Sequence, residues 1–366
     1  MKPALSLYLD GLRFGAALVV LLSHYGYPRF SDGRWLWVRE LNLGSDAVIL
    51  FFVLSGLVIA HVAARPEATG ARFAFDRVTR LVSVALPALV LTFALDRIGS
   101  RLSPEVYAAP FYQPMSLWEL LLRGLTFSNE WGLSAVRLGT NGPYWSLSYE
   151  AAYFALFGVA AFTRGARRVA LLLLLGLVAG LNILLLLPVW LLGVGLHGCL
   201  ARNLSPSGRL AWVMAVAPVL LYAAALTLGF PGDLRALTLE TFSGHGFRFS
   251  DEFIWNSLVG LFVACHIVGM SGLLHAPHEG RLAGVIRWGA GRSFSIYLVH
   301  YPVLQFLESL ALPGIGPWQD DILMIGTTLA VCFAFGNLFE ATLPQFRTML
   351  GGNWSGSRSR SASWSG

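Results

Sequence analysis

Charge is what this chain has least of. Charged residues make up 13% of its 366 residues, about half the ~25% of a soluble domain. Lysine is almost absent, since of 26 basic residues only Lys2 is not arginine. So few ions cannot cover a water-facing surface of this size. A hydrophobic fraction of 55% and a mean hydropathy of +0.62 suit a surface whose solvent is hydrocarbon. A soluble globular enzyme is thereby excluded. Cysteine is scarce as well: Cys199, Cys265 and Cys332 lie inside apolar runs, odd in number and without CxxC spacing. That excludes a disulfide framework and a thiolate metal site. A continuous basic stripe is missing too. The net charge of +6 comes from arginine clusters between apolar runs, a pattern that reports membrane orientation and not nucleic-acid binding. A cleavable leader is not read either, because the first apolar run holds Asp10 and Arg13 and no A-x-A site follows; it is expected to remain as helix 1.

What is present is a series of apolar runs of membrane-spanning length. They lie at about 7–27, 45–64, 79–98, 143–163, 169–187, 188–201, 210–229, 253–274, 293–311 and 320–341. They predict an all-α polytopic membrane protein of about ten transmembrane helices, with the fifth and sixth meeting at Pro188. The even-numbered connections and the two ends carry sixteen basic residues and the odd-numbered connections nine. The richer side is expected to be cytoplasmic, which places both termini there. Residues 1–345 read as one transmembrane domain, and 346–366 as a disordered cytoplasmic tail rich in Gly, Ser and Arg. Two long outer connections, about 99–142 and 230–252, are candidates for binding loops. The stretch from Trp118 to Leu125 is amphipathic and fits a helix at the interface.

Ionisable residues inside membrane helices are costly and are functional candidates by default. Helix 1 carries Asp10, Arg13 and His24. Arg13 and His24 are eleven residues apart, within about 20° of one helix face and about 16 Å apart along the axis. This predicts a polar stripe reaching His24 near the membrane middle. Asp46 enters helix 2, followed by the small residues Ser55 and Gly56, which suit close helix packing. Arg77 and Arg80 share a face at the expected start of helix 3, where a helix N-terminus and two guanidiniums make a phosphate site; positive-inside anchoring explains them equally well. On helix 4, Ser146, Glu150 and Tyr153 share a face, and on helix 9 so do Ser293, Tyr297 and His300. Three apparent motifs carry no weight. Gly193 to Gly198 matches GxGxxG inside an apolar span, His275 and His278 form an HxxH without further ligands, so no metal site is expected, and Asn203 opens a sequon on the expected cytoplasmic side.

Taken in order, Leu9-Asp-Gly-Leu-Arg13 with His24, Leu50-Phe-Phe-Val-Leu-Ser-Gly56, Arg77-x-x-Arg80, Tyr144-Trp-Ser-Leu-Ser-Tyr-Glu150 and Ser295-Ile-Tyr-Leu-Val-His300 resemble the membrane acyltransferase-3 family of bacterial O-acyltransferases. The resemblance runs from about residue 7 to 341. It departs from the family pattern at Val82-Ser83 where many members have Tyr-Pro, at Ile49 where many have Asp, and at Val299 where many have Trp. The resemblance implies a multi-pass protein of the bacterial inner membrane that moves an acyl group, acetyl first of all, from cytoplasmic acyl-CoA to a hydroxyl of a sugar, glycan or related acceptor. It implies catalytic roles among His24, Asp46, Glu150 and His300. Arg13, Arg77 and Arg80 would hold the acyl-CoA, and Trp145, Ser148 and Tyr297 would contact the acceptor. A proton-coupled transporter would use similar intramembrane charges, but no repeat or matched pair of broken helices is visible.

Overall fold

The computed structural model describes residues 2–350 apart from 109, 111, 276–279 and 312–313. His278 of the HxxH pattern and the tail from 351 therefore lie outside the described residues. Ten main helices occupy the ten apolar runs: α1 Pro3–Tyr25, α2 Leu43–Ala63, α3 Gly70–Leu102, α4 Trp145–Phe162, α5 Gly165–Ala179, α6 Leu181–Ala201, α7 Gly208–Thr227, α8 Phe253–Leu273, α9 Ser293–Ser309 and α10 Pro317–Phe335. The chain is a polytopic all-α membrane protein.

Seven of these helices, α1, α2, α3, α6, α7, α8 and α10 with its continuation to Met349, are long and apolar enough to cross a membrane by length and composition. The other three fall short for different reasons. α9 has only 17 residues, and α4 opens on the polar stretch Trp145-Ser-Leu-Ser-Tyr-Glu150, which lowers its hydropathy. α5 has only 15 residues, about 22 Å of helix, and its leucines face outward, with Leu177 80% exposed.

Successive helices alternate in direction, and polar cross-links at each end fix that alternation. On the face where α1 begins, here the first face, Lys2 Nζ donates to the Ser271 carbonyl and Arg292 Nε donates to Asn337 Oδ1. On the opposite, second face, Asn42 donates to Glu252 at 2.6 Å and Ser103 Oγ donates to the Ser309 carbonyl at 3.0 Å. A short helix, Leu343–Met349, follows at the first face, where Arg347 reaches Thr79 Oγ1 and the Asp76 carbonyl. Phe346 to Met349, which the sequence assigns to the tail, are helical, and Arg347 fastens that helix to α3.

Three boundaries differ from the sequence expectation. The break between α5 and α6 falls at Gly180 and not at Pro188, which sits inside α6. Gly180 has φ +85°, and a Cβ there would lie 2.9 Å from Gly132 Cα; only glycine supplies both the left-handed turn and the clearance. α3 starts at Gly70, with the Thr69 hydroxyl accepting from Arg72 N–H, nine residues before the hydrophobic run. The capped polar turns add no hydropathy, so the run alone hides them. α1 ends at Tyr25, before Gly26 and Pro28, so His24 stands in its last turn at the second face and not near the middle.

The core centres on α9, buried along most of its length between α1, α3 and α10. Close packing of α2 on α6 is reciprocal. A Cβ on Gly56 would strike the Trp190 carbonyl and one on Gly193 the Val53 carbonyl, as the small residues predicted. The amphipathic stretch is a helix, Leu117–Leu125, capped by Ser116 Oγ accepting from Glu119 N–H, with Leu120 buried and Trp118 exposed.

Candidate active site

The polar faces of α1, α2, α3, α4 and α9 converge on a cavity of ≈130 Å³ lined by Arg13, Ser55, Arg77, Arg80, Glu150 and Tyr297, with aromatic walls from Phe51, Phe52 and Phe294. Glu150 accepts from Ser55 Oγ at 2.6 Å, and Ser55 in turn accepts from Trp190 Nε1 at 3.2 Å. Ser55 therefore serves the site as well as the packing. Arg80 Nη2 lies 2.8 Å from Glu340 Oε1, whose other oxygen accepts from Ser295 N–H and Oγ at 2.9 and 2.8 Å. Glu340 ends a five-residue π-helical turn, Gly336–Glu340, at the foot of α10. Because α3 begins at Gly70, Arg77 and Arg80 stand in its third turn. Their attraction for an anion comes from their own charge and not from the dipole of a helix end, whose effect fades within one turn.

One turn along α9 from Tyr297 lies the other half of the site. His300 Nε2 is 3.0 Å from His24 Nδ1. His24 Nδ1 is also 3.0 Å from the Val20 carbonyl, and His300 Nδ1 is 2.8 Å from the Ile296 carbonyl. These contacts assign the protons. A carbonyl only accepts, so both Nδ1 atoms carry hydrogen; His300 Nε2 is then an acceptor, and His24 Nδ1–H is shared between it and Val20 O. His24 Nε2 keeps a free lone pair, as a general base needs.

Neither expected carboxylate orients His24. Asp46 accepts from Tyr222 OH at 2.8 Å and Trp255 Nε1 at 2.9 Å, on the side of α7 and α8. Glu150 is engaged by Ser55. The Tyr297 hydroxyl donates to the Pro143 carbonyl at 2.9 Å and accepts from Ser146 Oγ at 2.7 Å. Its proton is thus committed to the turn before α4. Ser148 donates to Asn129 Oδ1 at 2.6 Å and fastens the loop ahead of α4, away from the cavity.

Trp145 stacks on Phe249 at 4.4 Å and 6°. Both line a recess of ≈250 Å³ at the second face with Asn129, Glu130, Arg137, Asn141 and Arg248. Burial pushes the Glu130 carboxyl up to about 7, against the opposing pull of Arg248. Arg248 also holds the 126–141 loop by donating to the Leu133 carbonyl at 2.7 Å and to the Ser134 carbonyl.

Sequence reasoning missed Glu340 and the second-face arginines. Glu340 ends the last apolar run, and the rule that flagged Glu150 applies to it equally. Arg39 and Arg137 left no such signal, being loop arginines among others until the fold sets them beside His24.

Comparison with known proteins adds to this geometry. An acyltransferase-domain family matches residues 6–337. Acyltransferase MdmB of Streptomyces mycarofaciens is 31% identical over 157 residues, 41% of this chain and 37% of that protein. Peptidoglycan O-acetyltransferase OatA of Listeria monocytogenes is 23% identical over 366 residues, 90% of this chain and 54% of that protein. The chain thus spans about half the length of OatA and less of MdmB. No solved structure matches.

Proposed function

This chain belongs to the acyltransferase-domain family, and on that premise we propose that it transfers an acyl group, acetyl first of all, from cytoplasmic acyl-CoA to a hydroxyl of a sugar or glycan across the bacterial inner membrane. The observation that carries this reading is the His24–His300 pair, one turn of α9 beyond Tyr297, which lines the cavity that holds Arg77 and Arg80. The first face is then cytoplasmic, as the arginine count expects. The peptidoglycan O-acetyltransferase among the relatives supports a glycan acceptor.

Arg77 and Arg80 meet the phosphates of the donor as charge-assisted hydrogen bonds. The pantetheine arm runs past Arg13 toward the second face, and the acceptor enters there. His24 Nε2 takes the proton of the acceptor hydroxyl as its oxygen attacks the thioester carbon. His24 Nδ1–H, held by Val20 and His300, keeps the imidazole in place as it turns cationic. When the tetrahedral intermediate collapses, the C–S bond breaks and the proton on Nε2 passes to the departing thiolate. The products are the ester and free CoA. Trp145 and Phe249 offer a stacking surface for a sugar ring.

The experiment is release of CoA thiol from acetyl-CoA by the purified full chain, with and without a panel of glycan acceptors. Acceptor-dependent thiol release is expected. No release from any acyl-CoA, by monodisperse protein, overturns the proposal.

A further inference from the structure

The cations at the second face divide into two kinds. Arg34 is bound to Asp321 at 2.6 Å, Arg235 to Asp251 at 2.6 Å and Arg248 to Glu130 at 3.4 Å. Arg39 and Arg137 make no ion pair with any described carboxylate. Instead they lie on aromatic rings that flank His24. The Arg39 guanidinium sits 3.6 Å above the Tyr27 ring, and that of Arg137 lies 5.5 Å from the Tyr301 ring. Those two rings stand 6.3 and 5.0 Å from the His24 ring. Arg39 Nη1 also donates to the carbonyl of Ser23, the residue before His24, at 3.1 Å.

Room is kept for the Arg137 fork, since a Cβ on Gly142 would come within 2.6 Å of its Nη2. Its Nε is buried without a hydrogen-bond partner. Arg29 is a third cation on the Tyr301 ring, with Glu308 among the groups near it. The one carboxylate lining the recess, Glu130, is answered by Arg248. A guanidinium held by rings is fixed in place yet keeps its charge for an anionic ligand; one held in a salt bridge shares its charge with its carboxylate and has less to offer.

We propose that the acceptor carries an anionic group, a carboxylate or a phosphate on the glycan, and that Arg39 and Arg137 grip it so that the neighbouring hydroxyl faces His24. This rests on the acyl-transfer reading for what happens to that hydroxyl, but not for the binding. The donor phosphates are accounted for at the other end of the interior, by Arg77 and Arg80. The second-face arginines therefore select the acceptor.

The test is equilibrium binding of three glycosides to the full chain in detergent: methyl glucuronide, a methyl glucoside phosphate and neutral methyl glucoside. At least one anionic glycoside is expected to bind about tenfold more tightly than the neutral one, and which one does tells carboxylate from phosphate. Raising salt should weaken only the anionic ligands, a measurement that needs no variant. Arg39→Gln and Arg137→Gln should each lose most of the preference for the anionic glycoside over the neutral one. Equal binding of all three, or no binding by any, overturns the proposal. So does displacement of the anionic glycosides by phosphatidylglycerol in preference to either sugar, which assigns the arginines to lipid headgroups. Anion preference without acyl transfer to any acceptor would instead sink the catalytic reading and leave this one standing.

Discussion

The two ends of the polar interior are built from the same residue type in opposite ways. At the first-face end Arg80 is locked to Glu340, and Glu340 is itself saturated by Ser295. At the second-face end Arg39 and Arg137 rest on tyrosine rings. The difference is where each charge finds its match. A salt bridge between Arg80, 17% exposed at its side chain, and Glu340, 1% exposed, makes each partner depend on the other, because burying one ion alone is costly. Neither ring-held arginine has a carboxylate partner among the described residues, and Arg39 serves only the Ser23 carbonyl, so removal should disturb the fold less and the ligand more.

The largest effect expected is in the chemistry, at the second-face end. His24→Gln should lower acyl transfer by about 10²- to 10⁴-fold while leaving donor affinity in place, read from turnover and acyl-CoA binding of monodisperse protein. A Gln variant with near-normal turnover would remove His24 as the base and direct the search to Glu150. His24→Ala should be equally inactive, whereas a histidine that only packs would tolerate Gln better than Ala.

The contrast in stability comes next. Arg80→Ala should destabilise by about 3–5 kcal/mol, because Glu340 is left buried and unmatched, and Arg80→Ala with Glu340→Gln should recover part of that loss. Arg39→Gln should cost only about 0.5–1 kcal/mol, the worth of an exposed cation–π contact. Thermal unfolding in detergent reads all three. Equal losses from Arg80→Ala and Arg39→Gln would erase the distinction between the two ends.

Donor capture is the third test. Arg77→Ala should raise the apparent KM for acyl-CoA roughly 10- to 150-fold, the equivalent of about 1.5–3 kcal/mol for a lost charge-assisted contact. Arg77→Lys should recover only part of it, since the planar fork is gone. An unchanged KM would leave Arg77 as a topological anchor.

His300 should have a smaller influence, because it touches His24 and not the reacting atoms. His300→Phe removes one neutral hydrogen bond, worth about 0.5–1.5 kcal/mol, and should reduce kcat roughly three- to tenfold with KM for the donor unmoved. A change in KM alone would contradict a positioning role.

The last expected effect is a slope with pH in the second-face recess, which touches stability and not turnover. The Glu130 carboxyl, raised to about 7, stays protonated in the folded protein at pH values where the unfolded chain has released its proton. The folded state then binds more protons, so stability contributed by Glu130 is full below its ordinary range near 4.5 and declines as pH rises toward 7. The slope is at most about 1.4 kcal/mol per pH unit. Glu130→Gln should flatten the melting curve over that window, and a slope that persists in the variant would assign it to other groups.

Much of this was legible in the sequence, for a physical reason. Whether a segment is a membrane helix depends on its own hydropathy and length, and which residues share its face depends on the 3.6-residue period, so both are local properties. The ten apolar runs and the surface helix at Leu117–Leu125 follow from such terms, whereas the family resemblance rests on the motifs themselves. Partnership is not local. Sequence reasoning looked to the carboxylates Asp46 and Glu150 as partners of His24, but the packing of α9 on α1 sets His300 there while Tyr222 and Trp255 claim Asp46. The break at Gly180 was likewise set by the backbone of Gly132, 48 residues away in the chain, whereas Pro188 was the stronger local signal. Arg39 and Arg137 are almost a hundred residues apart, and nothing in either loop marks it as a neighbour of His24. Helix period and hydropathy are written along the chain; the side chains that meet between helices are fixed only when the helices pack.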